Sequence, residues 1–270
     1  MGKLNPNGVA KDVVFHRFSD KGWETDTSPL PDEKALTISV NHRELVTILC
    51  TPTKLNALVL GFLYAEGIIA KPGDVASMRV CEEESLAEVM LNDPHYEPPK
   101  VRVLTSGCGG GATFKTQEKR VDSDLVIAPK EVLSLMNQLQ ERMVLYRLCG
   151  GVHASALADT KSLLVMAEDI GRHNTLDKIQ GECLLREIPT RDRLLLSTGR
   201  ISSEMLLKAA KMQSPVVVSR HSPTETAVSF ARDLNITLIG HARGSRLSAY
   251  SHYQRLQEEQ NGQGRKVRKK

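Results

Sequence analysis

One cysteine stands inside a glycine run, Thr105-Ser106-Gly107-Cys108-Gly109-Gly110-Gly111-Ala112, directly after the strand-like Val101-Arg102-Val103-Leu104. The four glycines keep side chains clear of the sulfur and permit positive φ at several positions. A partner can therefore reach a thiol carried on such a loop. The chemistry this suits is that of an accessible nucleophilic thiolate. Two rival uses of the segment exist. A P-loop requires a glycine directly before its Lys-[Ser/Thr] pair so that the backbone can curl around phosphates; Lys115-Thr116 fit, but Phe114 fills the glycine position and obstructs that path. An inert buried cysteine needs an apolar wall, and the neighbours here are small or polar.

A second set of reactive residue types falls in four polar turns. These are Glu168-Asp169-Ile170-Gly171-Arg172-His173-Asn174, Ser197-Thr198-Gly199-Arg200-Ile201-Ser202-Ser203-Glu204, Ser219-Arg220-His221-Ser222-Pro223-Thr224-Glu225 and Gly240-His241-Ala242-Arg243-Gly244-Ser245-Arg246. A capping box with proline at the first helical position accounts for Ser222 and Glu225. It does not account for arginine in every turn, because a cation beside a helix N-terminus opposes the dipole unless an anion lies between them. Arg172, Arg200, Arg220, Arg243 and Arg246 thus predict an anionic ligand, with phosphates, at the carboxyl ends of the strands. His173 and His221 fit either proton transfer or simple loop hydrogen bonding, and the sequence leaves both open. The segment Gly150-Gly151-Val152-His153-Ala154-Ser155 invites comparison with the H-x-E of zinc deaminases. Ser155 replaces the glutamate and no P-C-x-x-C follows, so the zinc and the proton shuttle are both missing.

The elements that must position these residues follow from apolar periodicity. Residues 1–33, with Pro6, Pro29 and Pro31, read as an irregular extended lead-in. Strands are expected at 35–40 and 44–50, then a helix over 55–68 entered at Thr53. A second irregular stretch carries Pro94, Pro98 and Pro99, and Pro129 opens a helix with Val132, Met136, Leu139 and Met143 on one face. From residue 150 onward, strands at 152–158, 162–166, 193–196, 215–219 and 236–239 are interleaved with helices over 174–186, 203–212 and 223–234. Near-continuous apolar strands alternating with helices predict an α/β fold with a mainly parallel sheet covered on both faces. The expected divisions are an N-terminal α+β portion (1–125) holding the cysteine loop (105–112), an α/β cofactor-binding core (126–255) and a disordered basic tail (256–270).

The chain has 270 residues and 40% hydrophobic content, enough for a substantial core. It has no apolar run of about 18 residues, and Met1-Gly2-Lys3-Leu4-Asn5-Pro6 lacks a signal-peptide core, so a soluble cytoplasmic protein is expected. Cys50, Cys81, Cys108, Cys149 and Cys183 are scattered, with no C-x-x-C pair. Free thiols in a reducing compartment and no metal site are expected. The net charge is +4, yet Arg265, Lys266, Arg268, Lys269 and Lys270 supply five positive charges, so the body is slightly acidic. No nucleic-acid or membrane partner is expected from it.

Taken together the motifs resemble the formate dehydrogenase accessory sulfurtransferases, the FdhD sulfur carrier family. The resemblance is carried by Ser106-Gly107-Cys108-Gly109, Gly150-Gly151-Val152-His153, the Glu168-to-Asn174 run with Asp177-Lys178, the Thr198-Gly199-Arg200-Ile201-Ser202-Ser203-Glu204-Met205 run and Ser222-Pro223-Thr224. It implies a cytidine-deaminase-like three-layer fold without the deaminase metal. It further implies that Cys108 is a persulfide intermediate, loaded by a cysteine desulfurase. The sulfur would pass to the molybdenum (or tungsten) bis(molybdopterin guanine dinucleotide) cofactor, bound as client before insertion into formate dehydrogenase. The family's cofactor-binding segment matches His241, Ala242, Arg243, Gly244, Ser245 and Arg246, to which Arg172, His173, Arg200 and Ser202 are added from the rim. Many members carry C-x-x-C in the loop; Gly111 takes the second position here, which removes a two-cysteine hand-over within it. A homodimer is typical of the family. A guanine-nucleotide or phosphate-binding regulator with a spare cysteine is the alternative.

Overall fold

A computed structural model describes residues 8–97, 103–104, 112–113 and 119–257. The expected irregular lead-in is instead a regular hairpin of β1 (Ala10–Ser19) and β2 (Gly22–Pro31), paired from Ala10↔Pro31 to Ser19↔Gly22. Its prolines misled the reading. A two-stranded ribbon has two free edges, where a missing N–H costs no ladder bond, and Gly22 at φ 98° closes the turn.

Next come β3 (Lys34–Val40) and β4 (Arg43–Cys50), then α1 (Leu55–Ala65), β5 (Val75–Cys81) and β6 (Leu86–Leu91). They form a sheet of order β4-β3-β6-β5. Its apolar face, with Leu36, Ile38, Ala87 and Val89, packs on Leu58, Phe62 and Leu63 of α1. The helix starts at Leu55 as expected, with Lys54, left-handed at φ 51°, and not Thr53 as its entry residue, and it ends three residues earlier than expected, before Gly67 at φ 75°. Strands β5 and β6 were not expected, and their single charged residues, Arg79 and Glu88, occupy outward positions of the alternation.

Two short strands, β7 (Val103–Leu104) and β8 (Ala112–Thr113), pair antiparallel as Val103↔Thr113 and Leu104↔Ala112. After them come α2 (Pro129–Arg142), the short α3 (Leu145–Cys149), β9 (His153–Ala158), β10 (Leu163–Asp169) and α4 (Arg172–Leu185). The chain then runs through β11 (Leu194–Ser197), α5 (Ser203–Lys211), β12 (Val216–Ser219), α6 (Glu225–Asp233), β13 (Thr237–Arg243) and β14 (Arg246–Ala249). The sheet order is β10-β9-β11-β12-β13-β14. Only β11–β12 and β12–β13 are parallel; β9–β10, β9–β11 and β13–β14 are antiparallel. The expectation of a mainly parallel sheet is thus corrected to a mixed one. The Asp159 carboxylate accepts from the N–H groups of Lys161 and Ser162, both at 2.7 Å, fixing a tight turn where a parallel connection would need a crossover helix.

The expected cover of both faces is found. Leu157, Val165, Leu195, Val217 and Leu238 pack against α4, α5 and α6, while Ala154, Ala156, Leu196, Val218 and Ile239 pack against Val132, Leu135, Met136 and Leu139 of α2. α1 lies between the N-terminal sheet and α4. A Cβ on Gly61 would fall 1.8 Å from the Asp177 carbonyl oxygen, and one on Gly181 1.8 Å from that of Ala57, so the two helices touch through backbone.

Candidate functional site

The carboxyl ends of β10, β11, β12 and β13 and the start of β9 share one sheet edge, as the pairs Asp169↔His153, Ser197↔Ser155 and Ser197↔Ser219 require. All four polar turns lie along it. Arg172 is the first residue of α4, not a loop residue, and Gly199 is its neighbour. A Cβ on Gly199 would stand 3.1 Å from Arg172 Cβ and 3.3 Å from His153 Nδ1, so both side chains lie against that glycine. The Gly199 carbonyl accepts from the Ser219 hydroxyl at 2.7 Å, and the Arg220 N–H donates to Ser197 O at 3.3 Å, which brings the third turn against the second. Arg243 closes the group: its Nε donates to Arg220 O at 2.8 Å and its Nη2 to His221 Nδ1 at 3.1 Å.

The edge is crowded with positive charge, and the imidazoles register it. His153 is held below its usual range by burial, then by Arg172 and His221. His221 is lowered by burial and by Arg243, Arg220 and His241. His173 is pushed down to about 3 by burial, then by Lys208, Arg172 and His153. It is neutral, so its Nε2 hydrogen-bonds Ser202 Oγ at 3.1 Å, and its 3.4 Å approach to Glu204 is not an ion pair. Ser202 caps α5, accepting from Met205 N–H at 3.4 Å. Buried guanidinium nitrogens of Arg172 (Nε and Nη2) and Arg220 (Nε) find no hydrogen-bond partner among the described residues. Such donors need an acceptor, and an anion at this edge fits them.

The other assigned residues spread along the edge. His241 (φ 52°) and Arg243 are exposed at the end of β13, and Ala242 turns its side chain into the core. Arg243↔Arg246 pairing across Gly244-Ser245 makes the expected loop a tight β13–β14 hairpin, with Gly244 at φ 55° as primed turns demand. Arg200 and Arg246 are exposed. The capping expectation at Ser222 is corrected: Thr224 caps α6, accepting from Ala227 N–H, and Pro223 lies before the helix.

Much of the run from Glu168 to Lys178 is structural. Asp169 and Lys178 form a fully buried pair at 2.5 Å. Asp169 also accepts from Thr51, Gly171 and Asn174, and Lys178 donates to Thr51 O at 2.9 Å and Thr53 Oγ1 at 3.0 Å, tying β4 to the sheet edge. Glu168 accepts the N–H groups of Val144, Leu145 and Tyr146 at the start of α3. Ser155 is buried, bonded to Thr175 and Ser197 hydroxyls. No group of three His, Cys, Asp or Glu poised for a metal occurs among the described residues.

The loop with Cys108, residues 105–111, lies outside the described residues; its flanks are the paired β7 and β8. Four other cysteines are described. Burial pushes the Cys50 and Cys183 thiols up to about 12. Cys149, in α3, is raised by burial and Glu168, and its thiol donates to Leu145 O at 3.2 Å. Cys81 is partly exposed on β5. Sequence reasoning missed His153 as a member of the edge, for which the Gly150–His153 motif was the signal, and gave Gly199, though in the second turn, no role.

An open α/β sheet flanked by helices, carrying a basic edge built from successive strand ends, defines the class of protein. A family model described as "FdhD/NarQ family" matches residues 31–257. The chain belongs to the FdhD/NarQ family. It is 39% identical over 264 residues to a sulfur carrier protein FdhD of Bacillus pumilus (strain SAFR-032), covering 94% of this chain and all of that one. It is 41% identical over 234 residues to a sulfur carrier protein FdhD of Bacillus subtilis (strain 168), covering 84% and 89%. The fold matches the crystal structure of a candidate formate dehydrogenase accessory protein from Desulfotalea psychrophila, with a TM-score of 0.80 at 24% identity, over 92% of this chain and all of that one.

Proposed function

We propose that the chain is a sulfur carrier for formate dehydrogenase maturation, with Cys108 as the carrying thiol and the basic sheet edge as the seat of the client cofactor's guanine-nucleotide phosphates. The observation that carries the reading is the condition of three of the four other thiols, the fourth, Cys81, being partly exposed on β5. Cys50 and Cys183 are buried with pKa near 12, and Cys149 is raised and hydrogen-bonded, so all three are poor thiolates. The relatives' shared description as sulfur carriers supports it.

In the loading step the Cys108 thiolate attacks the outer sulfur of a cysteine desulfurase persulfide. The donor S–S bond breaks, the donor leaves as thiolate and a persulfide forms on Cys108, with no external oxidant. Cleavage of the Cys108 S–S bond would then pass the outer sulfur to the molybdenum or tungsten bis(molybdopterin guanine dinucleotide) cofactor, which is cargo here; Cys108 leaves as thiolate, and the reduced metal would supply the two electrons that bring the sulfur to the sulfide level. The protein's part is to bind and orient: Arg172, Arg243 and Arg246 offer charge-assisted donors to phosphate, while Ser202 and His173 brace the start of α5. The reading includes a cytoplasmic homodimer on a deaminase-like fold. No helix among the described residues is long and apolar enough to cross a membrane.

The test is Cys108→Ala. Purified protein incubated with a desulfurase and cysteine should lose its persulfide by mass spectrometry, and formate dehydrogenase maturation should stop, with thermal stability unchanged. A persulfide that persists on the variant overturns the assignment.

A further inference from the structure

The edge is not uniform. Arg200, Arg243 and Arg246 are exposed, whereas Arg172 and Arg220 hold buried nitrogens without partners among the described residues. Arg172 and His153 lie against Gly199, and the backbone of the Ser219-Arg220 turn is held beside it by the Ser219 hydroxyl bond to Gly199 O and the Arg220 N–H bond to Ser197 O. Nearby carboxylates are committed elsewhere: Asp169 to Lys178 and backbone N–H groups, Asp177 to Lys208 at 2.7 Å. Glu204 faces His173. A guanidinium nitrogen already sequestered from water has lost its hydration and is compensated only by a bound acceptor. An exposed arginine such as Arg246 keeps its water until a ligand arrives.

We propose that His153, Arg172 and Arg220 around Gly199 form an inner oxyanion subsite that takes a phosphate group on its own, beside the outer Arg243–Arg246 hairpin, which is bonded to the Arg220 carbonyl through Arg243 and meets the rest of a nucleotide. His153 is a ligand-facing residue of this subsite. Its neutral imidazole in the free protein, lowered by burial and Arg172, is ready to gain a proton once an anion offsets the arginines. A side chain at Gly199 would crowd Arg172 Cβ and Cδ and His153 Nδ1 at 3.1–3.3 Å. The inference rests on the anion-binding part of the proposed function and not on the sulfur-transfer part.

Calorimetry on the full chain with pyrophosphate and with GDP tests it. Arg172→Met and Arg220→Met keep the aliphatic stems and should each weaken pyrophosphate binding about ten- to a hundredfold, the loss of one charge-assisted bond. Arg246→Ala should weaken GDP while leaving pyrophosphate unchanged. In the unsubstituted protein the His153 imidazole resonance, identified by its loss in His153→Gln, should move on titration with pyrophosphate. An unmoved resonance overturns the subsite even if the methionine variants do not fold. GDP weakened only by the Arg243 and Arg246 variants also overturns it and leaves the outer site standing; no nucleotide or pyrophosphate binding at all sinks both.

Discussion

At the scale of single residues, burial decides which groups react and which titrate. Cys50 and Cys183, with thiols near 12, should stay unmodified by iodoacetamide in the native protein at pH 8 and react only on unfolding, as peptide mapping would show. His173 has a consequence for pH. It sits at about 3 when folded against about 6.5 unfolded. Between those values the unfolded chain holds a proton that the folded chain does not. The stability due to the neutral imidazole is therefore fully present above about pH 6.5 and is lost as pH falls toward 3. Urea unfolding at pH 7.5 and pH 5 should show a loss of up to about 2 kcal/mol that His173→Gln reduces; an unchanged difference would mean that other groups set the slope.

At the scale of elements, the contact between α1 and α4 is the most demanding junction. Gly61 and Gly181 each face a carbonyl at a distance no Cβ tolerates. Backbone is what they meet, so no rotamer change relieves the overlap. Gly181→Ala should cost about 3 kcal/mol or more, read as a fall in denaturation midpoint. Thr224→Ala, which removes the α6 cap, should cost only about 1 kcal/mol. The order of these two effects separates a steric junction from a capping bond.

At the scale of the whole molecule, the Asp169–Lys178 pair does more than join two charges. Through Thr51, Thr53 and Asn174, which donates to Leu49 O at 2.8 Å, it fastens the N-terminal sheet to the edge that carries the candidate site. The two sheets should therefore unfold in one transition. Lys178→Met would leave a buried carboxylate without its partner and should lower stability by about 3–5 kcal/mol. Calorimetric unfolding in two separated steps in the unsubstituted protein would contradict this coupling.

The amino-acid sequence by itself determined the elements of the C-terminal α/β region, since apolar runs of strand length and helical spacing are local properties. It also placed reactive residue types at strand ends and set Cys108 apart through its glycine neighbours. Tertiary structure decided strand direction, because whether β9 and β10 run parallel depends on a turn held by Asp159 and not on the apolar runs themselves. It decided that prolines near Leu30 belong to a hairpin, because ribbon edges tolerate them. It also divided the charged motif from Glu168 to Lys178. Asp169, Asn174 and Lys178 turn inward to satisfy one another, and Arg172 turns to Gly199 with nitrogens unsatisfied among the described residues. Charge type is written in the sequence, but which charges find partners depends on which segments, distant along the chain, are brought into contact.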